Sequence, residues 1–192
     1  MITMIEVTHG IYGAWRFAHF DHTGMTYFDQ SIEGFWKSFF AAVIVLPAYI
    51  VLLALARDSQ PEAMTSAPIV RVVFIEAIAY VLAWVAFPLM MTVIADLLDR
   101  RERYIGFIVA ANWSSVIQVA VLLPAAAIFT ASGAAPALLL YIAVWGAILA
   151  YAWFIAKTAM DLTGLAAAGL VLLSVIIEML IDGISSFMIA AG

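Results

Sequence analysis

Five stretches of this chain, residues 35–56, 69–95, 104–130, 135–156 and 165–189, are predominantly apolar. Each reaches the roughly twenty residues that a helix needs to cross the hydrocarbon of a bilayer. Lipid offers the backbone no hydrogen-bond partner, so a crossing segment must satisfy its own N–H and C=O groups as a helix. The expectation is therefore an all-α integral membrane bundle of about five transmembrane helices over residues 35–192. Composition agrees: 67% of the 192 residues are hydrophobic and 11% charged, against roughly 45–50% apolar residues in soluble domains.

The same composition removes several function classes. The net charge of -5 is scattered, with no basic run to follow a phosphate backbone, so nucleic acid is not an expected partner. With no cysteine, disulfides, thiolate metal sites and cysteine nucleophiles are out of the question. No histidine falls in a span, so the axial pair of a haem bundle is missing. His19 and His22 flank Asp21 in "HFDH", too few ligands to predict a metal centre. No cofactor is expected.

Charge also orients the chain. Arg100, Arg101 and Arg103 stand together between the second and third spans, and parity puts Arg16, Lys37 and Lys157 on the same side. Only Arg57 and Arg71 fall opposite, and a surplus of basic residues marks the cytoplasmic face. That predicts a cytoplasmic N-terminus, an external C-terminus and an external first loop, "RDSQPEAMTSAP". The opening residues lack the basic start and unbroken apolar core of a signal peptide, so the chain is expected to begin as itself in a bacterial inner membrane. Pro47, Pro88 and Pro124 inside the first three spans predict kinks. Gly164 and Ala168, four residues apart, predict a close helix approach.

Residues 1–34 read as a cytoplasmic amphipathic segment. Phe28, Ile32, Phe35 and Phe39 recur at helical spacing, with Asp29, Gln30, Glu33 and Lys37 on the other face. Together with Trp15 and Trp36 they are candidates for contact with the membrane surface or with a partner subunit.

Inside the spans, the acids are the anomaly. Glu178 and Asp182 lie one turn apart in the fifth span, on a stripe extended by Ser174 and Ser185. Glu76 in the second span falls near the depth of Asp182, and Gln118 in the third near that of Glu178, with Asn112 nearer the cytoplasmic end. Carboxylates in a bilayer must face protein or water, or stay protonated. Glu76, Gln118, Glu178 and Asp182 are thus candidates for a cation or proton site, with Arg71 as candidate counterion in a purely structural alternative.

Five close-set spans, the amphipathic lead and "EGFWKSFFAAVIVLPAYI" resemble the bacterial five-helix proteins of the Yip1 type, whose eukaryotic relatives are membrane-trafficking factors. The "DLYGP" type of signature is absent, so no partner-binding residue carries over. The resemblance implies a non-enzymatic scaffold, accessory subunit or membrane-organising factor, with the lipid bilayer, other membrane subunits or a second copy as partners. A small proton- or cation-coupled carrier or channel is the alternative raised by the acids.

Overall fold

A computed structural model of the chain describes residues 2–57 and 66–191. Most of the first interhelix loop, residues 58–65, lies outside the described residues. Among those described, the helices are α1 Met4–Ala18, α2 Ile32–Ser38, α3 Phe40–Arg57, α4 Ile69–Leu97, α5 Tyr104–Ser132, α6 Ala135–Ala159 and α7 Gly164–Ala190. Short 3-10 turns occupy His22–Tyr27 and Arg101–Arg103. Five helical stretches are long and apolar enough to cross a membrane, α2 and α3 counting as one, and their ends fall within three residues of the expected spans.

The connections after α4, α5 and α6 are short because each of these helices ends in a left-handed residue. Asp99, Gly133 and Asp161, just beyond α4, α5 and α6, have φ of 55°, 57° and 51°. Glycine adopts this conformation without a Cβ penalty, and aspartate is among the few other residues that visit it readily. Pro47, Pro88 and Pro124 each sit inside a helix that continues through them. At Pro88 the carbonyl accepts a hydrogen bond from the Tyr104 hydroxyl at 3.1 Å.

The long α5 is the hub: α1, α2, α3 and α6 all pack on it, while α7 bridges α6 and α4. At Gly164 a side chain rather than a second backbone comes close: the Trp153 indole lies over it and donates to its carbonyl at 2.8 Å. Its expected companion Ala168 faces outward, and Ala167 takes the buried position.

The N-terminal segment is part of the same core. A capping box starts α1: the Glu6 N–H donates to Thr3 Oγ1 at 3.3 Å and the Thr3 N–H to the Glu6 carboxylate at 2.7 Å. Gly10, Gly13, Ala14 and Phe17, one face of α1, are buried. Gly10 lies under Trp113, where a Cβ would come within 2.4 Å of ring atoms. Phe17 stacks edge-on against Phe28 and Phe154, both at 5.5 Å. Tyr151 Oη donates to the Ala14 carbonyl at 2.7 Å and lies 2.8 Å from Ser114 Oγ, while Asn112 Nδ2 donates to Ser38 Oγ at 2.9 Å.

Length explains why this segment docks. With 29 residues, α5 is about 43 Å long, well over the roughly 30 Å of bilayer hydrocarbon. With 18 residues, α3 is about 27 Å long. Ser38, just before α3, is bonded to Asn112, eight residues into α5, so about 12 Å of α5 runs on beside α1 and α2. The N-terminal segment wraps that overhang at the end of the bundle that carries Arg101 and Arg103, the basic end.

Candidate functional site

Where α4, α5, α6 and α7 face one another they leave a partly open cavity of about 330 Å³. The side chains that reach it are mostly apolar, as a membrane helix supplies, but two helices bring a polar row. Asn112, Ser115 and Gln118 recur every three residues along α5, and Ser174 and Glu178 stand four apart on α7. Those spacings keep each row on one helix face. Gln118 and Glu178 both line this cavity.

Hydrogen bonding separates these groups into two kinds. Asn112 is committed to Ser38, the Ser115 hydroxyl donates to the Asn112 carbonyl at 2.7 Å, and that of Ser174 to the Val171 carbonyl at 2.8 Å. Among the described residues, neither the Gln118 amide nor the Glu178 carboxylate has a hydrogen-bond partner. No lysine or arginine lines the cavity. It presents an exposed Glu178 carboxylate at its margin and the half-buried Gln118 amide, beside Trp84, Phe87, Phe107 and Trp145.

The other two acids are placed differently. Glu76 on α4 accepts a hydrogen bond from the Tyr49 hydroxyl of α3 at 3.0 Å, and Tyr49 stacks on Tyr80 with ring centroids 4.7 Å apart. Asp182 lies near Glu76 and Tyr49, but it does not line the cavity. One turn of α7 thus divides the predicted pair: Glu178 belongs to the cavity, and Asp182 to the seam with α4. Ser185 is buried and donates to the Asp182 carbonyl at 3.0 Å.

The suggested counterion goes elsewhere. The Arg71 guanidinium donates to the Met188 carbonyl, in the last turn of α7, and makes no ion pair with Glu76 or Asp182. Helix ends leave carbonyls without intrahelical donors, and a long cationic side chain at the mouth of a neighbouring helix satisfies one.

The surface candidates also divide. Trp15, Ile32 and Trp36 are exposed, Phe35 and Phe39 are half-buried against the core, and Phe28 is buried on Phe17. In "HFDH", the His19 ring nitrogen bonds the Trp15 carbonyl at 2.8 Å, and the Asp21 carboxylate accepts from Thr23 and pairs with Arg16. Among the described residues no group of three His, Cys, Asp or Glu is placed to hold a metal.

Tyr49, Ser38, Ser114 and Tyr151 are polar partners that sequence reasoning missed. Their signal is that tyrosine and serine within a span need an internal partner. The chain matches no protein-family model, no curated protein and no solved structure.

Proposed function

We propose that the protein is a small membrane carrier that takes up positive charge, a proton or a cation, at Glu178. The observation that supports this reading is the unpaired Glu178 carboxylate, which opens onto a cavity within the span of the membrane. A carboxylate there is costly when ionised and alone, and the cost is relieved when positive charge arrives or the group is protonated. Gln118, across the same cavity, supplies a second free polar group. The Glu76–Asp182 seam lies one turn further along α7 and offers carboxylates toward the far end of the bundle. Six of the eight basic residues lie toward one end of the bundle, which supports placing that end in the cytoplasm.

A second reading, the non-enzymatic scaffold or accessory subunit that the Yip1-type resemblance implies, is favoured by Trp15, Ile32 and Trp36, exposed on the N-terminal segment. One experiment decides between them. Protein in liposomes carrying an internal pH dye should release an imposed proton gradient faster than empty liposomes, and Glu178→Gln should abolish the gain. Flux that is absent, or unchanged by the substitution, together with a partner retained on native isolation, would leave the scaffold reading in possession.

A further inference from the structure

Resting on the carrier reading, we infer that the cavity accepts a monovalent organic cation with an apolar body, an amine or quaternary ammonium, held between Glu178 and the surrounding aromatic rings. Charge sets the sign. The lining contains a single ionisable side chain, Glu178, and no cation to neutralise it. An anionic ligand would meet like charge, whereas a cation is attracted.

The walls set the chemical class. Trp84, Phe87, Phe107 and Trp145 reach the cavity from three helices, and the faces of such rings attract cations at centroid distances up to about 6 Å. A bare metal ion is a poor match: Ca²⁺ takes about 6–8 oxygen ligands and Mg²⁺ an octahedron. Here the side-chain oxygens in the lining are few, on Asn112, Ser115, Gln118, Ser174 and Glu178, and the rest of the lining is apolar or aromatic. The volume of about 330 Å³ sits at the lower end of small-molecule pockets, roughly 300–1,000 Å³. An organic ammonium fills it with one charge and many carbon contacts.

The test uses the full chain in phosphatidylcholine nanodiscs, with radiolabelled benzyltrimethylammonium as probe and empty nanodiscs as blank. Saturable binding of one probe per chain is expected. Glu178→Gln should weaken it tenfold or more, and Trp145→Leu by about three- to tenfold. Both variants should elute as the parent does, which separates lost binding from lost folding. Neopentylbenzene, which replaces the ammonium nitrogen with carbon, should fail to displace the probe. No saturable binding, binding indifferent to Glu178→Gln, or equal displacement by neopentylbenzene would each overturn the inference, the last by making the cavity a site for neutral lipophiles. Glu178-dependent proton flux without probe binding would sink this inference and leave the carrier reading standing; loss of both would remove both.

Discussion

At the basic end of the bundle, Gly10 admits the Trp113 ring, Phe17 lies between two other phenylalanines, and Tyr151, Ser114, Asn112 and Ser38 satisfy one another or the backbone. Further along the same helices, Gln118 and Glu178 face a cavity with no partner. Interiors are normally filled to crystal-like density, and buried polar groups are normally paired. The first region is close-packed and joined by side-chain hydrogen bonds, while the second keeps open space, a half-buried amide and an exposed carboxylate. The contrast teaches that close packing and open, polar-lined space occupy different stretches of one bundle. A closed end can hold the bundle together while the open stretch keeps a group whose isolation is unfavourable.

The sharpest way to break this comparison is Gly10→Leu. Even a Cβ there would come within 2.4 Å of Trp113, so α1 must lift or the indole must move. Overpacking of this kind costs about 1–3 kcal/mol. Thermal unfolding in micelles should move down, and trypsin should gain access at Arg16. An unchanged midpoint would mean that the basic end does not carry the stability assigned to it.

Acid should loosen the same end more gently. Lys37 Nζ lies 2.6 Å from both Glu6 and Glu33. The hydrogen bond from Lys37, joined by those from Thr3, holds the Glu6 carboxyl well below the usual carboxylate range, at about 2. Because the folded value lies below the ordinary 4.5, the clasp contributes fully above about pH 4.5 and is lost as the pH falls toward 2. Protease access to the N-terminal segment should therefore rise across that window, and Glu6→Gln should flatten the profile. A profile identical in the variant would assign the acid response to another group.

The smallest effect belongs to the open region. Glu178→Gln should change the unfolding midpoint by no more than about 0.5 kcal/mol in equivalent stability, since it removes no hydrogen bond or ion pair. A large loss would show the carboxylate to be structural and dissolve the contrast.

The spans were legible because bilayer thickness and helix rise leave little freedom once an apolar run is long enough. The same depth arithmetic set Gln118 level with Glu178. It could not read the space between them, because a cavity depends on how four helices lean on one another. Arg71 was misjudged for a related reason: a long side chain at a helix end reaches carboxylates and free backbone carbonyls alike. Residues 1–34 were read by their aromatic face, which has the same periodicity against lipid as against protein. The discriminating signal was on the other face, where Gly10, Gly13 and Ala14 are too small to gain much from lipid and are suited to close helix contact.

The contact between Tyr151 and Ala14 spans 137 positions of sequence. At synthesis rates of about 5–20 residues per second, Ala14 is added to the chain roughly 7–27 s before Tyr151. Through that interval the apolar face of α1 lacks Tyr151, and for most of it Trp113 as well, and the headgroup region of the membrane is its available refuge. The first helix made is thus among the last to find its place. Its docking closes the molecule only when α6 has been delivered, so a chain truncated before Tyr151 would expose its own N-terminus to quality-control proteases.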